Sequence, residues 1–280
     1  MQQGQMLTDA HVHLDRYRPS ERLLVLQRAA GAGVRWMVTA GMDLQSSAEA
    51  VEIAGTTPGV LASVGFHPWI AAEAFPTDFQ AGITDLAHHD FTVAIGEAGL
   101  DFIDNVFTGV TYHDNPDLCR AQEQAFRKQV EVACTIGLPL IIHCRGAYPT
   151  LLQILKEERA QRVGGIIHNF DGDAQLGKRL LDDGFLLSFG GTITYPSATA
   201  LREVARRIPL EGVLTETDSP YMPLYQQPAE SNEPANVAKV AQALATLRGM
   251  EVAELVDAVY RNFVNILHLE ERRGLKAKDA

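Results

Sequence analysis

Short apolar runs rich in β-branched residues recur eight times along the chain, and a segment with helical spacing of its apolar positions follows each one. This alternation predicts parallel strands joined by crossover helices. The predicted strands are Leu7–His13, Val34–Ala40, Val60–Phe66, Phe91–Glu97, Leu138–Cys144, Gly164–Asn169, Gly184–Phe189 and Gly212–Asp218. Eight units close a barrel, so the pattern predicts an α/β protein with (β/α)8 TIM-barrel architecture. An open, doubly wound sheet is the alternative that the same alternation permits.

The segments between these strands have the periodicity of amphipathic helices, and several begin at a Ser, Asp or Pro start signal. The predicted helices are Ser20–Ala32, Leu44–Gly55, Asp78–His88, Pro116–Ile136, Ala147–Arg159, Ala174–Asp183, Ser197–Ile208, Asn232–Leu247 and Val252–Leu269. No low-complexity linker or change in composition divides the chain. We therefore expect residues 1–280 to form one domain, with 271–280 as a frayed tail.

The composition is that of an ordinary globular protein, with 46% hydrophobic and 21% charged residues in 280. A net charge of -11 repels polyanions at long range and counts against a duplex-binding module. The three cysteines form no CxxC pair, as is typical of a reducing compartment. Because no signal segment or long apolar run is present, we expect a cytoplasmic protein without membrane association. No segment identifies a protein partner.

Two histidines and an aspartate alternate along the first predicted strand. Asp9, His11 and His13 are spaced by two residues, which places their side chains on one face of the strand. A His-x-His pair at a strand end is suited to clamp a metal ion, although alone it is equally compatible with a polar strand end.

Four further ionisable residues close later strands. Glu97 ends the fourth, His143 the fifth, His168 the sixth and Asp218 the eighth. In a barrel, all carboxyl-terminal strand ends open onto one rim, where active sites of this fold are built. A single such residue is often only a helix cap, but their coincidence predicts one common cavity.

The predicted ligands are His11, His13, Glu97, His143, His168 and Asp218. Imidazoles and carboxylates without thiolates favour two divalent cations of Zn, Mn or Mg. Every lysine lies on a predicted helix or in the tail, which leaves Glu97 as the bridging ligand. Such a pair of cations activates water for hydrolysis. Asp218 is predicted to act also as general base; the alternative is that it only orients a histidine.

Other polar residues lie on the same predicted rim. His67, in VGFHPW, and Arg145, two residues after His143, are predicted to bind an anionic group such as phosphate. The alternative for His67 is a turn residue before Pro68. Asp101 is a candidate to hydrogen-bond a ligand histidine, and Glu216 is predicted to face the same way as Asp218, but their positions alone assign neither a firm role.

Taken together, the motifs resemble the TatD-type metal-dependent hydrolases, often described as TatD deoxyribonucleases, among the amidohydrolase-like barrels. The resemblance rests on DAHVHLD, GFHPW, IGEAGLDF, the pattern Gln122-x-x-x-Phe126-x-x-Gln129, GLPLIIHCRGA, IIHNFDG, TETDSP and NEPANV, in this order. It implies that the six predicted ligands bind a dinuclear metal centre. It also implies hydrolysis of phosphodiesters in the manner of a 3'-5' exodeoxyribonuclease, with DNA ends or nucleotides as substrates.

Three departures from the family pattern concern the substrate. Residues 102–121 form a connection longer than is usual, the run YQQPAESNEP lacks the basic residues that commonly precede Asn-Glu-Pro, and Asp171 adds negative charge. Two alternatives therefore stay open. One is a metal-dependent amidohydrolase or lactonase acting on a small molecule, and the other is a catalytically silent scaffold barrel.

Overall fold

Eight parallel strands in sequential order form the centre of the protein, so the predicted TIM barrel is confirmed. The computed structural model describes residues 6–73, 79–104, 111–112, 115–228 and 231–271. The strands are β1 (Leu7–Val12), β2 (Val34–Ala40), β3 (Val60–Val64), β4 (Thr92–Asp101), β5 (Leu140–Arg145), β6 (Gly165–Ile167), β7 (Phe185–Phe189) and β8 (Val213–Thr215).

Helices alternate with the strands and surround them. They are α1 (Pro19–Gly31), α2 (Leu44–Thr56), α3 (Pro68–Glu73), α4 (Phe79–Ala87), α5 (Pro116–Ile136), α6 (Tyr148–Glu157), α7 (Ala174–Asp182), α8 (Thr199–Arg207), α9 (Val237–Arg248) and α10 (Val252–Ile266). The short helix α3 was not predicted, and its first residue, Pro68, directly follows His67. Asp78, the tail after 271 and part of the long connection at 102–121 lie outside the described residues. None of the described helices is long and apolar enough to span a bilayer.

The first and last strands meet at a seam that closes the barrel. Val12 and Ser219 form a parallel bridge, and the Ser219 carbonyl accepts a hydrogen bond of 2.8 Å from the His13 amide. The Asp218 amide in turn donates to the His11 carbonyl at 2.9 Å. These contacts bring residues from the two ends of the barrel, more than 200 positions apart in the sequence, into direct contact.

The hydrophobic core fills the barrel interior and the space between strands and helices. β1, β3, β4, β6 and β8 are buried along their whole length, as expected for parallel strands covered on both faces. Helix α5 also contributes two buried glutamines. Gln129 exchanges hydrogen bonds with the backbone of Phe66, and Gln122 does the same with Asp101. These bonds fix the backbone at the carboxyl ends of β3 and β4.

The prediction that Glu97 ends the fourth strand was wrong, because β4 continues to Asp101. Its pairing with β5 resumes after an irregularity and runs from Ala98 to Asp101. Gly99 permits this close pairing: its φ is +150°, and an added Cβ would overlap the His143 carbonyl oxygen. Glycine at this position maintains the strand.

Candidate metal centre

The six predicted ligands converge on one buried cluster at the carboxyl-terminal rim. His11 lies in β1, Glu97 in β4 and His143 in β5. The other three residues follow strands directly or by a few positions: His13 follows β1, His168 follows β6 and Asp218 follows β8. Each is at most 9% exposed. The convergence expected from strand-end positions is therefore present.

One group of ligand atoms lies between β1 and β8. The Nε2 atoms of His11 and His13 are 3.1 Å apart. Glu97 Oε2 lies 3.3 Å from the first and 3.6 Å from the second. Asp218 Oδ1 lies 3.9 Å from His11 Nε2 and 3.5 Å from His13 Nε2. Four ligand atoms from three elements thus surround one point.

A second group lies on the other side of the same glutamate. Glu97 Oε1 is 2.9 Å from His143 Nδ1 and 3.8 Å from His168 Nε2. His67 Nε2 is 3.4 Å from the same oxygen. Glu97 therefore directs Oε2 toward His11 and His13 and Oε1 toward His143, and His168 lies near both sides, since its ring also stacks on that of His11 at 3.8 Å.

These spacings fit divalent cations. Ligand atoms around one tetrahedral Zn²⁺, with bonds of about 2.0–2.1 Å, lie about 3.3 Å apart. Among the described residues, ligand atoms of three such sets lie within 4.8 Å of one another: His11, His13 and Asp218; His11, Glu97 and His168; and His67, Glu97 and His143. The sets contain imidazole nitrogens and carboxylate oxygens without thiolate, which matches the donors that Zn and Mn prefer in hydrolytic sites.

Two buried carboxylates hold two of the histidines in orientation. Asp101 Oδ2 lies 3.0 Å from His143 Nε2, on the side of the ring away from Glu97. Glu216 Oε1 lies 2.9 Å from His168 Nδ1 and accepts a hydrogen bond from the Asn169 amide. Partners of this kind fix the ring orientation of metal-binding histidines and raise their basicity. The structure thus gives Asp101 the histidine partner that was expected from sequence, and it shows His168 as the partner of Glu216.

A hydrogen bond and burial together set the protonation of His67. The Trp69 amide donates a hydrogen bond to His67 Nδ1 at 3.2 Å, so Nδ1 carries a lone pair. A neutral imidazole then bears its proton on Nε2, the atom that faces Glu97. Burial lowers the pKa of His67 to about 4 and favours this neutral form. His67 therefore presents an N–H donor to the centre, and not a metal-binding lone pair.

Arg145 lies at the edge of the cluster and is anchored by Asp101. Its Nη1 is 3.3 Å from Asp101 Oδ2, and its side chain remains 44% exposed. The indole Nε1 of Trp69 donates to the same carboxylate at 2.9 Å. Trp69 was missed by the sequence analysis, because its partner lies on a different strand and only the fold brings the two together.

The electrostatics of the cluster favour bound cations. Burial raises the pKa of Glu97 and Asp218, but the surrounding histidines outweigh it and keep both carboxyls ionised. Burial lowers the pKa of His168, but the charges of Glu216 and Asp218 outweigh it and raise the pKa to about 10. The ionised carboxylates attract positive charge to the cluster and favour a proton on His168, whereas burial lowers the pKa of His11 and His67. A bound divalent cation would supply that positive charge.

Comparison with known proteins identifies the family of the chain. The family described as TatD related DNase matches residues 8–268. The chain is 35% identical over 258 residues to the uncharacterized metal-dependent hydrolase YabD of Bacillus subtilis, covering 92% of this chain and 97% of YabD. It is 32% identical over 271 residues to the uncharacterized metal-dependent hydrolase YcfH of Escherichia coli, covering 95% and 97%.

A solved structure gives the same result. The crystal structure of the TatD homologue YjjV from Escherichia coli superposes with a TM-score of 0.84 at 28% identity, covering 93% of this chain and 97% of YjjV. Both the sequence match and the barrel thus extend over nearly the whole chain. The chain belongs to the TatD family and is a metal-dependent hydrolase.

Proposed function

We propose that the protein is a phosphodiesterase of the TatD type that hydrolyses phosphoesters such as DNA ends or nucleotides, with exodeoxyribonuclease-like activity. The observation that carries the proposal is the position of Glu97 between two histidine groups. Sites that hold two cations about 3.5–4 Å apart recur in phosphatases and nucleases, because they stabilise both oxygens of an in-line displacement. The family description as DNases supports the same substrate class.

In this proposal, six residues would hold two divalent ions. His11, His13 and Asp218 would bind one ion, His143 and His168 the other, and Glu97 would offer one oxygen to each. When bound, the ions would lower the pKa of water, polarise the phosphoryl oxygen and neutralise developing charge. The native ions in this proposal are Zn, Mn or Mg: the imidazoles suit Zn, and the carboxylates suit Mn and Mg.

The remaining steps belong to the side chains. Asp218, ionised and 12% exposed at its side chain, accepts the proton of the attacking water. His67 donates its Nε2 proton in a hydrogen bond to a non-bridging phosphate oxygen. Arg145, fixed by Asp101, directs its free guanidinium N–H groups to the same anion. Both residues thus compensate phosphate charge at the open side of the site.

A second candidate function is hydrolysis of an amide or lactone in a small neutral molecule. The specific observation in its favour is that residues 219–228, which follow β8, contain no lysine or arginine. This segment itself therefore offers no cation to a long polyanion, whereas a short or neutral substrate does not need one.

The deciding experiment is a hydrolysis screen of the protein reconstituted with Zn²⁺, Mn²⁺ or Mg²⁺. We expect turnover of bis(p-nitrophenyl) phosphate and of single-stranded DNA ends, and loss of both activities in Asp218→Asn. Activity restricted to a lactone and amide panel would refute the phosphodiesterase assignment in favour of the second candidate. A protein that hydrolyses neither class would be the silent scaffold.

A further inference from the structure

The segment after β8 carries a cluster of exposed apolar side chains. Within residues 221–225, Tyr221 is 46% exposed, Met222 38% and Tyr225 45%. The other exposed large hydrophobic side chains in the described part of the chain are Met6, Ile103 and the adjacent pair Leu23 and Leu24 on α1. An exposed apolar cluster points to ligand binding when it lies beside a functional site.

This cluster begins at the metal centre. Tyr221 follows Asp218 by three residues, and its ring centroid lies 5.5 Å from that of His13. The two rings meet edge to face at 69°. One side of the Tyr221 ring therefore contacts a predicted metal ligand, while nearly half of its surface remains open to solvent.

The backbone that carries Tyr221 is fixed by one buried amide. Asn232 is 2% exposed, and its Nδ2 donates to the carbonyl of Thr217 at 2.8 Å. The same Nδ2 contacts the carbonyls of Tyr221 and Met222. The ring thus projects from a segment that is tied to the end of β8, which is the preorganisation that a ligand-binding surface requires.

The outer part of the segment is fixed against the loop after β7. The Tyr195 hydroxyl donates to the Pro223 carbonyl at 3.0 Å, and the Tyr225 amide donates to Thr194 Oγ1 at 2.9 Å. The rings of Tyr195 and Tyr225 lie 5.6 Å apart in an edge-to-face arrangement. Tyr225 is therefore held as firmly as Tyr221 although both are exposed.

The chemistry of the segment limits what it can bind. Residues 219–228 read SPYMPLYQQP and contain no charged side chain. Such a wall offers no ion pair to phosphate. Aromatic side chains instead stack on flat rings, and stacking on a nucleobase contributes about 1–3 kcal/mol per base.

We propose that Tyr221, Met222 and Tyr225 form a specificity-determining aromatic ledge, which binds a flat, uncharged ring of the substrate while its phosphodiester lies at the metal centre. This inference rests on the proposed function. A nucleobase at a terminal nucleotide and the aryl group of a small phosphoester share the required chemistry. Stacking on these aromatic rings also explains how residues 219–228, which carry no charge, select one substrate over another.

The test compares three phosphodiesters that share the p-nitrophenolate leaving group and differ in the other substituent: thymidyl, phenyl and methyl. We expect the metal-loaded full-length protein to prefer the ring-bearing substrates in kcat/KM. Tyr221→Ala is expected to reduce the ring-over-methyl preference about tenfold, and Tyr221→Phe to retain it. A higher kcat/KM for the thymidyl than for the phenyl substrate identifies a nucleobase as the ligand. Equal kcat/KM values show that any aryl group is bound.

Met6→Ala is the matched control, since Met6 is 43% exposed at the opposite, amino-terminal end of β1. The preference should be unchanged in this variant. An unchanged preference in Tyr221→Ala, or an equal loss in Tyr221→Phe, would overturn the ledge. If no phosphodiester is hydrolysed, the proposed function fails, and equilibrium dialysis against phenylphosphonate and thymidine tests the ledge separately. Weaker binding of these two ligands to Tyr221→Ala than to the unsubstituted protein would support the ledge. Equal binding to both proteins would overturn it.

Discussion

Glu216 provides a quantitative test of how the fold prepares the metal centre. The residue is fully buried, and its Oε1 lies 2.9 Å from His168 Nδ1 and 2.8 Å from the Asn169 amide nitrogen. Glu216→Gln conserves the size and the oxygen that accepts from Asn169 but removes the negative charge beside the imidazole. Glu216→Ala removes both the charge and the acceptor.

Outer partners of metal-binding histidines contribute about 10- to 100-fold in metal affinity, or about 1.4–2.7 kcal/mol. We expect Glu216→Gln to lie near the lower value, because it keeps the acceptor oxygen. Glu216→Ala should approach the upper value, because His168 loses its fixed orientation as well. The second cation position, which contains His168, should be weakened more than the first.

Competition with a chromophoric chelator during titration with Zn²⁺ measures both affinities. Glu211→Gln is the control, since this exposed glutamate lies in the turn Leu210–Gly212 at the other end of β8. Dissociation constants within twofold of the unsubstituted protein in both Glu216 variants would refute the assigned orientation. If Glu211→Gln lowers the affinity for Zn²⁺ equally, the net charge of the protein and not the orientation of His168 causes the loss.

Three further outcomes are expected. Glu97→Gln should weaken metal binding at both cation positions about 100-fold and abolish turnover. The reason is that a metal-binding free energy of about 10–16 kcal/mol for a four-ligand site corresponds to roughly 3 kcal/mol per ligand. If elemental analysis still finds two tightly bound ions in this variant, Glu97 does not bridge them. Arg145→Gln should raise KM for phosphodiesters about 10-fold or more with little change in kcat, since a hydrogen bond to a charged group contributes about 1.5–3 kcal/mol to binding. An unchanged KM would show that Arg145 does not bind the phosphate. When the free ions are present at about 100 times their dissociation constant, their chelation should lower the free energy of unfolding by about 2.7 kcal/mol and Tm by about 5–10 °C. If EDTA does not change the Tm measured by calorimetry, the centre contains no ion.

The barrel and the positions of the ligands could be predicted because both depend on local patterns. Alternation of apolar strands with amphipathic segments identifies parallel units, and the geometry of a closed barrel then places strand ends on one rim. His143 and His168 follow apolar runs without interruption, so their position was evident from sequence. Their distance from Glu97 required only that the barrel close.

The details that depend on tertiary contacts could not be predicted. The fourth strand was predicted to end at Glu97, yet Gly99 permits β4 to continue and to pair closely with β5. The tautomer of His67 is set by the backbone amide of Trp69, which no side-chain pattern reveals. Tyr221 gave no signal, because its significance lies in exposure beside His13, and exposure is a property of the folded surface.

The seam between β1 and the residues after β8 has a consequence for biosynthesis. His13 lies near the start of the chain and Asp218 near its last quarter, and hydrogen bonds across the seam bring them together. A nascent polypeptide therefore has the complete set of ligands only after the ribosome has released residue 219. Zinc uptake during translation should begin abruptly at that length, which makes ion capture a reporter of barrel completion.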